Sequence, residues 1–260
     1  MSLTVTWLGH ATVVLDVGGV RLISDPLLGR HAGFLLRRGH PPDPSAWQVI
    51  DAVLLSHLHH DHAELRSLRR LGNVPVVTAP SNAAWLREHG VPGAIGLQPG
   101  EWFSLGQHDQ VQVALAPAVH GARPMPHRPN AVNGHFVRHT DGAVWVLGDT
   151  EAFPGMSQVV ELAEAPIDLA VVPVSGWGPR LSKGHLDSPA AAQVCDLVSA
   201  RYAIPVHWGT LHPPGLRHLP PGWMDRPGAR FADDIHRYAP QCHPVVLAPG
   251  QSWLAPAASR

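Results

Sequence analysis

The stretch "DAVLLSHLHHDH", residues 51–62, narrows most what this chain can become. Its unbroken apolar run, Ala52 to Leu55, reads as a buried strand. Directly behind it, four histidines and an aspartate fall within the seven positions Ser56 to His62. A buried strand ending in so many nitrogen and oxygen donors calls for a fold in which the strand end opens onto a shared polar site. His57 and His59, two apart, project from the same side of an extended chain. Asp61 and His62 follow where the chain turns toward a helix, and can point back over the same spot. A helix cap by Asp61 beside solvated histidines is the alternative, but capping takes one side chain rather than five.

Other apolar strands end the same way. His120 follows "VALAPAV", Asp149 follows "VWVLG" and His207 follows "YAIPV". Imidazole and carboxylate donors without thiolate suit zinc, iron, manganese or nickel. The two cysteines, Cys195 and Cys242, lie far apart and in no ligand spacing, which predicts reduced, buried thiols rather than a zinc pair or a disulfide.

Around these positions the pattern alternates between strands and helices. Residues 3–24 read as an antiparallel meander. Strands follow at 51–56, 74–79, 94–97, 101–105, 110–117, 134–140, 143–149, 168–174 and 202–208. Helices are expected at 62–71, at 81–90 with Ser81 as N-cap and Gly90 as stop, at 156–165, at 188–200 opened by Ser188 and Pro189, and at 229–239. Prolines (27) and glycines (25) are spread between these elements, and residues 40–47 and 211–223 read as shaped loops rather than domain linkers. The segment "HAGFLLRRGH" (31–40) could line an acyl pocket near a site mouth or touch an interface, or be a strand or helix segment covered by the core; the last is favoured. With 45% hydrophobic residues, the pattern predicts one domain, 1–260, of two mixed sheets packed together with helices outside.

Charge limits the partners. Nineteen basic residues face 20 acidic ones, so no overall field favours a polyanion, and no nucleic acid is expected. A nuclease would also need a basic groove, and none is visible in the sequence. No basic leader precedes an apolar stretch, and no run approaches the roughly 20 apolar residues of a membrane span, which predicts a cytoplasmic protein with no transmembrane segment. Oligomeric state has no signature here.

The set as a whole resembles a known family. "HLHHDH" matches the HxHxDH motif of the metallo-β-lactamase superfamily, and His120, Asp149 and His207 match its remaining donors in order and context. "TWLGHATVVLDVGGVRLISDPLL", "GDTEAF" and "PVHWGT" are similar to the branch containing the N-acylphosphatidylethanolamine-hydrolysing phospholipase D and the ascorbate-phosphate lactonase, although "LHPPGLRHLPPGW" after "HWGT" departs from it. The resemblance implies an α/β fold, a four-layer αβ/βα sandwich. It also implies two divalent ions, zinc first with manganese or iron as alternatives. His57, His59 and His120 would hold one and Asp61, His62 and His207 the other, with Asp149 bridging and His60 at the motif's variable position.

Such a pair of ions would hold a bridging hydroxide near neutral pH. Two dications against two carboxylates leave net positive charge, which favours a small or lipid-like anionic substrate. A phosphodiester is the leading expectation, with an anionic lactone as alternative. A non-enzymatic metal-binding protein is a further reading, though no donor is missing. Asp61 would orient the nucleophile. His185, in "SKGHLDSP", would stabilise the transition state or protonate the leaving group, or else cap a helix. Arg123 could grip a phosphate or be an ordinary surface arginine. His10 and Asp25 are expected to orient donors by hydrogen bonding, though Asp25 could equally be a turn residue before Pro26.

Overall fold

The computed structural model describes residues 3–106, 110–121, 125–140 and 142–256. The expected meander is β1 (Leu3–Gly9), β2 (Thr12–Val17) and β3 (Val20–Ser24). Its register pairs Val5 with Leu15 and Leu15 with Leu22. A short hairpin follows, β4 (His31–Ala32) and β5 (Leu35–Arg37). Then come β6 (Ala52–Leu54), α1 (Leu65–Arg70), β7 (Val76–Thr78), α2 (Pro80–Glu88) and β8 (Ala94–Gly96). These strand and helix units lay β6, β7 and β8 parallel to one another beside β3.

The second half repeats the scheme. β9 (Trp102–Leu105), β10 (Val111–Ala116), β11 (Gly134–His139) and β12 (Gly142–Val146) run antiparallel. α3 (Val159–Ala163), β13 (Ile167–Pro173), α4 (Ser188–Leu197) and β14 (Tyr202–Val206) then extend the sheet with parallel strands. The chain ends through β15 (Leu211–His212), α5 (Arg226–Tyr238), β16 (His243–Pro244) and β17 (Ser252–Leu254). Sheet orders are β17-β1-β2-β3-β6-β7-β8 and β16-β14-β13-β12-β11-β10-β9, with a small third sheet β15-β5-β4.

Period-two alternation sorts the core into layers. Val5, Trp7, Leu15 and Leu22 of one sheet meet Val113, Val144, Leu169 and Ile204 of the other. The opposite faces pack outward: Val14, Ile23 and Val53 against Leu68, Ala83 and Leu86 of α1 and α2, and Phe136, Trp145 and Ala170 against Val159, Ala191, Phe231 and Ile235 of α3, α4 and α5. The architecture is the expected four-layer sandwich. Both cysteines are free and buried.

Several boundaries differ from the sequence reading. α2 begins at Pro80 with Ala79 as cap, not at Ser81, because proline is preorganised for a first helical position and loses no hydrogen bond there. α4 does open at Ser188 and Pro189, with Asp187 as its cap accepting from Ala190 N at 3.0 Å. The helix expected from residue 62 starts only at Leu65, since Glu64 supplies its cap by accepting from the backbone of Arg66 and Ser67. Asp61 is thereby released from capping. Segment 31–40 forms strands, as one of the two expected forms, but is not wholly covered: Leu35 and Arg37 are buried, whereas Phe34 is 63% exposed. Among the described residues no helix is long and apolar enough to cross a membrane.

Candidate metal centre

One edge of the sandwich collects the ends of β3, β6, β10, β12 and β14 together with the β1–β2 turn. Donor atoms of His57, His59 and His120 lie within 4.8 Å of one another, and so do those of His10, Asp61, His62 and His207. Asp149 stands between the two groups: its Oδ2 is 3.2 Å from His62 Nε2, 4.0 Å from His57 Nε2 and 3.9 Å from His120 Nε2, and its Oδ1 is 3.3 Å from His207 Nε2. The fold thus brings together all seven donors that the sequence pointed to. His60 faces elsewhere, with its ring 6.3 Å from that of His127.

Ring nitrogens show how the histidines are aimed. His62 Nδ1 bonds Asp25 at 2.8 Å, His207 Nδ1 donates to Ser175 O at 3.0 Å and His120 Nδ1 donates to Gly184 O at 2.7 Å. His57 Nδ1 lies 2.9 Å from Ser56 Oγ, which itself donates to Asp25 Oδ2 at 2.7 Å. Each of these four rings spends Nδ1 on a structural partner and turns Nε2 into the common space, as outer hydrogen bonds do for metal-binding imidazoles. His10 holds Asp61 in the same manner, Nε2 to Oδ2 at 3.0 Å. Asp25 and His10 therefore do sit where they orient donors.

Several contacts suit a cation among these residues. His57 Nε2 and Asp149 Oδ1 are buried without a hydrogen-bond partner among the described residues, an arrangement that carries a desolvation cost unless something satisfies them. His62 Nε2 and His207 Nε2, with their other nitrogens already bonded, face each other at 3.2 Å. With both rings neutral, two lone pairs would point at one another beside a carboxylate, a contact relieved by a shared cation or by a proton on His62. The donor set fits divalent metal ions.

Burial and the neighbouring imidazoles favour the protonation states metals need. Burial, then repulsion from His62, holds His57 well below the ordinary histidine range. Burial chiefly brings His59 down to about 4 and lowers His120. Burial opposes charge on Asp61 and Asp149, but the histidines around them hold both carboxyls well below the usual range. His62 is the exception: burial disfavours its charge, yet Asp149, Asp25 and Asp61 lift it well above the ordinary value.

His185, in the loop between β13 and α4, places Nε2 3.2 Å from Asp149 Oδ2 and packs edge-on against His120. Arg123 lies outside the described residues. A cavity of about 620 Å³ opens over the cluster. Phe34 and Trp177 meet edge to face across it, with ring centroids 5.6 Å apart, and Leu181, Arg180 and Lys183 line the same space. The sequence reading missed this 176–183 wall. Its signal was present: a glycine-rich loop with a tryptophan leaves β13 at the edge where the other strands end. Glu151 was missed too; its carboxylate accepts from Gly184 N at 2.9 Å and steadies the His185 loop.

Residues 20–208 match the family model described as the β-lactamase superfamily domain. The N-acyl-phosphatidylethanolamine-hydrolyzing phospholipase D 1 of Caenorhabditis elegans is 29% identical over 230 residues, covering 80% of this chain and 64% of that enzyme. The chain thus spans under two thirds of the worm enzyme's length. A metal-dependent hydrolase of Pyrobaculum aerophilum is 28% identical over 214 residues, covering 79% of this chain and 84% of the relative. Among solved structures, Igni18, a metallo hydrolase from the archaeon Ignicoccus hospitalis, superposes with a TM-score of 0.75 at 20% identity, covering 98% and 99% of the two chains; that likeness speaks for the fold alone. With the family match running from β3 to the residue after His207, the chain belongs to the metallo-β-lactamase superfamily.

Proposed function

We propose that this chain is a binuclear metal-dependent hydrolase of phosphodiesters that carry an apolar group. His57, His59 and His120 would hold one divalent ion and Asp61, His62 and His207 the other, with Asp149 between. The observation that carries the reading is the pair of donor groups meeting at one buried carboxylate. Zinc is the ion we assign, and manganese or iron suits the same donors. Bound ions would supply a water activated near neutral pH and positive charge for a developing oxyanion.

The chain's own residues do the rest. Asp61, fixed by His10, is placed to orient the attacking water and accept its proton. His185, hydrogen-bonded to Asp149 and lining the cavity, is placed to hydrogen-bond or protonate the leaving group. Phe34, Trp177 and Leu181 offer an apolar wall, while Arg180 and Lys183 bring cationic groups that suit an anionic ester. The worm relative's name has it hydrolysing N-acyl-phosphatidylethanolamine, itself a phosphodiester, which supports the same class.

Purified protein of measured metal content, offered bis(4-nitrophenyl) phosphate and a panel of lactones, tests the assignment. Phosphodiester turnover that scales with metal content is expected. Lactone opening with no phosphodiester turnover would replace this reading.

A further inference from the structure

Beside the metal chamber lies a second cavity of about 580 Å³, and five arginines line it: Arg30, Arg66, Arg69, Arg70 and Arg128. They come from three separate segments, the loop after β3, α1, and the loop before β11, so the near-neutral balance of the whole chain conceals them. The arginine–carboxylate pairs among the described residues all lie elsewhere, at Arg21, Arg38, Arg138 and Arg230. The carboxylate lining this cavity is Glu64, and its oxygens are engaged by the backbone of Arg66 and Ser67 as the cap of α1. Five guanidiniums therefore face a single carboxylate here, and positive charge is in excess.

Three of the five guanidinium groups are held in place. Arg69 donates to His89 O at 2.7 Å. Arg70 donates to Leu28 O at 3.3 Å and lies 4.7 Å over the Trp47 ring. Arg128 donates to Leu58 O at 2.7 Å and lies 4.8 Å over Trp85, while its buried Nε has no partner among the described residues. A guanidinium carries five N–H donors, so these anchors leave most of them free. Arg30, Arg66, Arg69 and Arg70 are exposed and Arg128 is half-buried. Arginines fixed to backbone and aromatic faces form a prebuilt cradle, and their forked donors match phosphate oxygens.

The cradle is not isolated from the metal donors. Gly33 and His60 line both cavities, and a Cβ at Gly33 would sit 3.6 Å from the His60 ring. These two residues form the partition, which gives the variable position of the histidine motif a place in the site. At roughly 30 Å³ per water-sized group, the arginine cavity has room for more than a single phosphate.

We propose that this cavity is an anion subsite of the same centre, taking a second phosphate group carried by the substrate. The inference rests on the phosphodiester reading of the metal site. Metal-loaded protein is titrated calorimetrically with propane-1,3-diyl, butane-1,4-diyl and hexane-1,6-diyl bisphosphates and with propyl phosphate, and the same series is run on the double variant Arg69→Ala/Arg70→Ala, which removes two of the held guanidiniums. At least one bisphosphate is expected to bind about tenfold tighter than propyl phosphate, with an advantage that shrinks as salt rises and falls to about one in the variant. No advantage in the parent chain, or an advantage that survives the double substitution, overturns the subsite. Aryl phosphodiester turnover measured alongside reports on the centre separately: an arginine-dependent advantage in a protein that turns over no phosphodiester keeps the subsite and removes the phosphodiester reading.

Discussion

Asp149 and His185 share one short contact, yet the proposed function gives them different tasks, and substitution separates them. Asp149 touches both donor groups, so Asp149→Ala should lower metal content and activity together, the latter by about a hundredfold or more. His185 reaches the cluster through Asp149 alone among the carboxylates, and His185→Ala should cut turnover by about a hundredfold with metal content unchanged. Elemental analysis beside a rate assay distinguishes the two; loss of metal from the His185 variant would make it a ligand instead. His10, Asp25 and His207 share a further property, a left-handed backbone with φ of 53°, 36° and 65°. Side chains other than glycine adopt that region at a cost. Three turns at the site edge accept it to aim an imidazole or carboxylate inward, which no pattern of residue types announces.

At the scale of elements, α5 bears on the site without touching a donor. A Cβ on Gly228 would lie 2.5 Å from a Trp208 ring carbon and 2.9 Å from Val246, and Trp208 stacks on Trp7 with centroids 5.1 Å apart. Glycine is what lets the helix approach so closely. Gly228→Ala gains about 1 kcal/mol of helix propensity, but crowding Trp208 costs about 1–3 kcal/mol. A melting temperature lower by several degrees is expected, together with weaker metal retention, because Trp208 directly follows His207. An unchanged melting curve would show that the ring can move aside freely. Elements of this kind explain what could be read beforehand. β6, β10, β12 and β14 were legible because an apolar run followed at once by a donor is a local signal. The cap of α2 was misplaced because Ser81 competes with Pro80 for neighbouring positions. β4, β5 and β15 are two or three residues long and exist only through pairing across the chain, so nothing local marks them.

For the molecule as a whole, the two sheets are coupled by polar contacts as well as by the shared apolar layer. His135 of β11 is fully buried and donates from Nε2 to Val77 O of β7, 3.0 Å away in the opposite sheet. Burial lowers its pKa from 6.5 to about 4. Above about pH 6.5 neither the folded nor the unfolded state protonates this ring, and its contribution is flat. As pH falls from there toward 4, the unfolded chain takes up a proton that the folded chain refuses, and stability is lost, by up to about 3 kcal/mol. His135→Asn should flatten the pH dependence of urea unfolding between pH 6.5 and 4, and parallel curves for the two proteins would refute the link. Layer order and the convergence of donors were readable from alternation and strand ends. The arginine cavity was not, because Arg30, Arg66 and Arg128 become neighbours only once the loops are placed.

The last strand sits beside the first. β17 pairs with β1 through Thr4, Val5 and Thr6, and Trp7 exchanges hydrogen bonds with Gly250 and Gln251 just ahead of it. During synthesis β1 emerges well before β17 and must wait with an open edge until residues 252–254 have left the ribosome, an invitation to stray pairing in the meantime. The turn bearing His10 hangs from that same strand, so final maturation of the reactive pocket is tied to the arrival of residues some 240 positions later.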